Sequence, residues 1–114
     1  MIDFSKLSSF EPEVIRSNPI EIYNNLDRSA DTSELRSAQE YILKEWYNNR
    51  FDEKDVVVKM HTGDGKTLVG LLMLYSKMNN GQGPSLYVCP NRQLVNQVQK
   101  EAERFGIPFI RLLI

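Results

Sequence analysis

Residues 55–67, Asp-Val-Val-Val-Lys-Met-His-Thr-Gly-Asp-Gly-Lys-Thr, constrain this chain more than any other stretch. Val56, Val57 and Val58 form a β-branched run bounded by charge, which suits a central strand of a parallel sheet covered on both faces. The chain then enters a loop in which Gly63 and Gly65 can take backbone conformations closed to other residues. Successive N–H groups can there face one concavity and hold phosphate oxygens. Lys66 would place an ammonium on the terminal phosphates, and Thr67 a hydroxyl on a magnesium ion. Residues 68–78 follow as an apolar helix whose N-terminus adds partial positive charge at the same place. The pattern Gly-x-x-x-x-Gly-Lys-Ser/Thr departs here only in Met60, which stands where the first glycine is usual. The tighter core Thr62-Gly63-Asp64-Gly65-Lys66-Thr67 is intact, between an expected strand and an expected helix. His61 reads as a bystander on that loop.

A chain of 114 residues with 41% hydrophobic and 25% charged residues supports one domain with a modest core. A net charge of −1 excludes a surface built throughout for nucleic acid, while leaving room for a local contact made by a few groups. Cys89 is the single cysteine, so no intramolecular disulfide is possible and a reducing compartment fits. It reads as a small buried hydrophobe. The N-terminus lacks a basic segment followed by a continuous apolar stretch, and no run is long enough to span a bilayer, which predicts a cytoplasmic protein with no membrane partner. No Cys/His cluster has zinc-site spacing.

Taken in order, residues 1–17 carry scattered apolar positions broken by Pro12 and predict irregular structure. Asn18 and Pro19 predict a cap and first helical residue, with Ile20, Tyr23 and Leu26 near one face of a short helix. Asp31 and Glu34 have the spacing of a capping box, and Leu35, Ala38, Ile42 and Trp46 form a stripe at helical spacing behind it. Glu40 and Lys44 predict an i, i+4 ion pair. After the glycine loop, the helix over 68–78 has little polar face and is expected to be buried on most sides. Residues 85–89 predict a second buried strand. Asn91 is placed to cap a helix with Leu94, Val98, Ala102 and Phe105 on one face, and Gly106 to stop it. Residues 107–114 predict a third strand. This order is that of an α/β domain with a parallel sheet of about three strands flanked by helices. Its ligand would lie at the carboxyl ends of the strands, where the glycine loop and the Pro90 turn share one rim.

Three blocks together resemble the N-terminal part of a superfamily 2 helicase or translocase of the DEAD/DEAH-like group, which includes the UvrB-like and type III restriction ATPases. Leu35-Arg36-Ser37-Ala38-Gln39 is similar to the Leu-Arg-x-x-Gln segment placed before the phosphate loop, and residues 60–67 to motif I. Pro90-Asn91-Arg92-Gln93-Leu94-Val95-Asn96-Gln97 is similar to motif Ia, with Asn91 where threonine is usual. The resemblance implies an incomplete RecA-like P-loop domain over 31–114, truncated before the Walker B motif and preceded by an N-terminal extension over 1–30. It implies ATP and Mg2+ as ligands. Gln39 would read the adenine edge, residues Thr62, Gly63, Asp64, Gly65, Lys66 and Thr67 would hold the phosphates, and Thr67 would also hold the metal. Tyr23 is a weaker candidate for stacking on the base than for packing. Pro90, Asn91 and Arg92 would meet a nucleic-acid backbone at a helix N-terminus, positioning without reading sequence.

The Asp-Glu-x-Asp/His motif of the family is read as appearing nowhere in the chain, so the resemblance implies nucleotide binding without hydrolysis by the chain alone. A protein supplying the missing half of the domain is a further implied partner. Two rivals come from other classes. One is a non-catalytic interaction module that offers an open sheet edge to a partner; the other is a non-helicase P-loop enzyme such as a small kinase.

Overall fold

The computed structural model describes residues 15–61, 63 and 65–111. Its ordered elements are helices: α1 (Pro19–Asn24), α2 (Ser37–Glu45) continued by a π-helical turn (Trp46–Arg50), α3 (Lys66–Asn79) and α4 (Arg92–Phe105). The expectations for residues 1–14 fall outside the described residues.

Helix α3 is the hub, packing against α1, α2 and α4. Its near-continuous apolar sequence allows this, since Leu68, Val69, Leu71 and Leu72 are buried on successive faces and Ser76 is sealed beside them. Ile22 and Tyr23 from α1, Leu43 from α2, and Ala102 and Phe105 from α4 close the core around it. The Tyr23 and Phe105 rings lie 5.9 Å apart, and the Tyr23 hydroxyl donates to the Ser33 carbonyl, so this buried phenol has its polar end satisfied. At the far end of α3, the Ser76 hydroxyl donates to the Ser17 carbonyl, and the Asn79 amide donates to the Arg16 carbonyl at 2.8 Å.

The helix ends follow their local chemistry. The Asn18 side chain accepts from the Ile20 N–H at 3.0 Å with Pro19 in the first turn, and the Asn91 side chain accepts from the Leu94 N–H at 2.9 Å. Gly106 ends α4 in the left-handed region, and the Ile107 N–H returns to the Ala102 carbonyl at 2.8 Å with Ile107 buried beyond it. The Lys44–Glu40 pair forms at 2.9 Å.

The parallel sheet expected over residues 56–58, 85–89 and 107–114 is corrected by the structure: no strand is present among the described residues. Val57 is 95% exposed, Val88 76% and Ile110 89%, whereas strands of a covered parallel sheet would bury both faces. A β-branched run favours extended backbone, but strand identity needs a ladder partner, and none of these runs has one among the described residues. The Ser85 hydroxyl donates to the Leu74 carbonyl of α3 at 3.3 Å, and the Tyr87 ring lies over Gly70, 3.2 Å from where a Cβ would stand. The second run is thus laid along α3. Residues 112–114 fall outside the described residues.

The start of α2 also differs from expectation. Asp31 does not cap it; its carboxylate meets Arg104 at 3.2 Å, and α2 begins at Ser37. The buried residues of α2 and the turn beyond it are Gln39, Leu43 and Trp46; of the expected stripe Trp46 is buried, Leu35 and Ile42 are half-buried against the core, and Ala38 is exposed. The Ser29 N–H donates to the Arg104 carbonyl at 2.8 Å, so the connector before α2 is fastened to the C-terminal end of α4.

Candidate functional site

The loop that leads into α3 turns on two glycines, Gly63 with φ 91° and Gly65 with φ 79°, both in the region that L side chains rarely adopt. Gly65 also faces a close neighbour: a Cβ there would stand 2.2 Å from the Gln39 Nε2. Conformation favours glycine at both positions; at 65 a side chain would also have to displace the Gln39 amide, whereas at 63 a Cβ would meet nothing within 4 Å. Gly65 occupies the cap position of α3 and offers no side chain to its first-turn N–H groups, which leaves them for a ligand.

Gln39 is 5% exposed, and its amide is fixed at both ends. Its Oε1 accepts from the Arg36 N–H at 2.9 Å, and its Nε2 donates to the Gly65 carbonyl at 3.3 Å. The Arg36 guanidinium donates to the Gly63 carbonyl. The first turn of α2 thus touches the glycine loop at two carbonyls.

A cavity of about 800 Å³ opens beside this loop. Gln39, Gly63, Gly65, Lys66 and Thr67 line one side, so the structure gathers five of the residues expected to hold nucleotide; Thr62 and Asp64 lie outside the described residues. The opposite wall is α4, through Gln97, Lys100, Glu101 and Arg104, and Pro90 and the half-buried Cys89 form part of the floor. Cys89 is therefore a cavity residue rather than a sealed core residue. The cations on the lining are Arg36, Lys66, Lys100 and Arg104, against the carboxylates of Glu34 and Glu101. Arg104 shares its charge with Asp31 at 3.2 Å and with Glu101 at 3.8 Å. The balance favours an anion.

Of the three residues expected at a nucleic-acid backbone, Pro90 lines the cavity, Asn91 is spent on capping α4, and Arg92 is exposed at its first turn. His61 is exposed, and Tyr23 lines the cavity edge from the core. Reasoning from motifs missed the α4 wall. The signal was present, since positions 97, 100, 101 and 104 recur at helical spacing as a polar stripe. It also passed over Asp52-Glu53-Lys54-Asp55, which carries the letters of the Asp-Glu-x-Asp tetrad but stands ahead of the loop. All four are exposed, none lines the cavity, and Glu53 is held by Arg50 at 2.8 Å. Among the described residues no group of His, Cys, Asp and Glu is arranged to hold a metal by itself, and no helix is long and apolar enough to cross a membrane.

Compared with known proteins, residues 36–114, well over half of the chain, match the family model of the DEAD/DEAH box helicases. No curated protein and no solved structure matches it. The matched span opens at Arg36 and includes Gln39, the glycine loop and the Pro90 turn. The small-kinase reading falls with this match, and the interaction module loses the open sheet edge on which it depended.

Proposed function

Because the chain belongs to the DEAD/DEAH box helicase family, we propose that it is the ATP-binding part of a superfamily 2 helicase or translocase, with residues 31–114 as the nucleotide-binding unit and 1–30 as an extension before it. The observation that carries this reading is the convergence of Gln39, Gly63, Gly65, Lys66 and Thr67 on one cavity of about 800 Å³, large enough for a nucleotide. The donors present fit a triphosphate: a lysine at the first position of α3, a helix N-terminus with no capping side chain, and further cations on the facing walls. Thr67 would supply a hydroxyl to Mg2+ brought in with the nucleotide. Magnesium draws charge from the phosphates when bound. Gln39 keeps one donor and one acceptor beyond its two bonds within the chain, enough to meet the adenine edge.

Turnover is not expected of these 114 residues by themselves. Hydrolysis needs a carboxylate that orients water and a second hold on the metal, and removing one such group lowers rates by roughly 10²- to 10³-fold. The carboxylates on the lining are Glu34 and Glu101, and the latter faces Arg104. Pro90, Asn91 and Arg92 make the proposed contact with a DNA or RNA backbone through the exposed start of α4, and a protein that completes the site is the further proposed partner.

Calorimetry with Mg-ATP and a non-hydrolysable analogue tests the binding, beside phosphate release at high protein concentration. Both nucleotides are expected to bind the parent and neither to bind Lys66→Ala, with no steady release. No binding by the parent would overturn the reading, and release that depends on Lys66 would overturn the non-hydrolytic part of it.

A further inference from the structure

We propose that Arg36 is a positioning residue that shapes the phosphate loop before nucleotide arrives, acting with Gln39 as a two-point clamp; this rests on the ATP-binding reading above. The clamp consists of two contacts from one short stretch of chain: the Arg36 guanidinium donates to the Gly63 carbonyl, and the Gln39 amide donates to the Gly65 carbonyl at 3.3 Å. The two side chains are themselves coupled, since the Arg36 N–H donates to the Gln39 Oε1 at 2.9 Å. In a trans peptide the C=O and the following N–H point in opposite directions. The Gly65 carbonyl also accepts from the Val69 N–H at 3.4 Å, so it points into α3 and the Lys66 N–H points out of the open end where an anion is received; Gln39 adds a second hold on that carbonyl.

The second point matters because packing does not hold the loop at Gly63. A Cβ there would meet nothing within 4 Å, and a glycine free of neighbours has more backbone states to lose on ligand binding than any other residue. At Gly65 the reverse holds, for Gln39 already fills the space. Arg36 thus supplies by hydrogen bonding at 63 what Gln39 supplies by contact at 65, and a loop ordered in advance binds more tightly because less entropy is lost on binding. Arg36 is exposed, which separates it from a core role, and its place on the cavity wall keeps its remaining donors near the ligand.

The test compares the parent with Arg36→Met, Arg36→Lys and Gln39→Ala for Mg-ATP and Mg-GTP at low and high salt. Amide signals and hydrogen exchange of Gly63 and Gly65 are followed in the unliganded chain. Loss of a charge-assisted hydrogen bond predicts that Arg36→Met weakens both nucleotides about tenfold and equally. The loss should survive high salt, which would erase a mere attraction between exposed charges. Gly63 exchange should rise while α4 amides stay unchanged, Arg36→Lys should recover part of the affinity, and Gln39→Ala should weaken ATP more than GTP. An unchanged Gly63 signal in Arg36→Met, or a loss that vanishes with salt, would overturn the clamp. A parent that binds neither nucleotide would overturn the ATP reading instead, and the glycine amides would still decide the clamp.

Discussion

Gly106 shows how a single position can join the two ends of the described chain. Its φ of 72° already excludes most side chains, and a Cβ there would stand 2.3 Å from the Asp27 carbonyl oxygen and 2.9 Å from its carbon. Both neighbours are backbone and cannot swing aside. Gly81 has nearly the same backbone, φ 81°, with nothing within 4 Å. Gly81→Ala should therefore lose about 1 kcal/mol, the conformational part alone, and Gly106→Ala at least about 2 kcal/mol, since the connector before α2 must also move. Denaturant unfolding of the two variants checks this, and equal losses would show that the contact with Asp27 carries nothing. The same junction has a charged member. A hydrogen bond from the Ser29 side chain, aided by the positive charge of Arg104, holds the Asp31 carboxyl below its ordinary pKa. A lowered pKa means that the folded state favours the ionised form. The contribution is present above the unfolded carboxyl's pKa and is lost as pH falls through the folded value. Asp31→Asn should be less stable than the parent near pH 6, by a small margin because the pair is exposed, and the difference should close below the carboxylate range in melts across pH.

At the scale of elements, what the sequence disclosed depended on whether the governing interaction was local. Helices α1, α3 and α4 were legible because Asn18, Asn91 and Gly106 act on backbone groups within a few residues of themselves, and because α3 is apolar nearly all round. The sheet was misread because a strand is defined by a partner far along the chain, and Val56, Val57 and Val58 testify only to their own preference for extended backbone. Asp31 was misread for the same reason, its partner Arg104 lying 73 residues away. The candidate site was legible on its loop side, where glycine spacing and Lys66 are adjacent in sequence, and hidden on its α4 side, which only folding brings opposite. The motif Ia segment is a mixed case: Asn91 does cap α4, and Arg92 stands exposed beside the N–H groups that the cap leaves unfilled. A backbone phosphate held there has no means of reading bases. Arg92→Ala should weaken binding of single-stranded nucleic acid about equally for all sequences and lower the salt slope by roughly one counterion. Salt-titrated isotherms of both forms measure this, and an unchanged slope would return Arg92 to the solvated surface.

For the whole molecule the decisive feature is the contrast between a helical core sealed around α3 and apolar residues left outside it. Leu72, Val69 and Leu43 are almost fully buried, yet Leu86 is 71% exposed, beside the still more exposed Val57, Val88 and Ile110. Three helices on one hub bury too little surface for a large reserve of stability, so the melt should be low and shallow. The exposed side chains sit on segments that form no strand ladder among the described residues, and such segments pair readily with other copies when they extend. A net charge of −1 gives almost no repulsion to keep copies apart. Self-association that grows with concentration is therefore expected in sedimentation velocity. Replacing Leu86 and Val88 together by lysine should reduce it, because each lysine removes apolar surface and puts a positive charge on the pairing segment of both copies, while the dilute-solution melt stays unchanged since neither residue is in the core. Leu72→Ala is the complementary case: it should lower the melt by an amount equivalent to roughly 2–5 kcal/mol through the cavity left in the hub. A monomer with a sharp, high-temperature transition at every concentration would show that the exposed runs are no liability and that the helical core alone is sufficient.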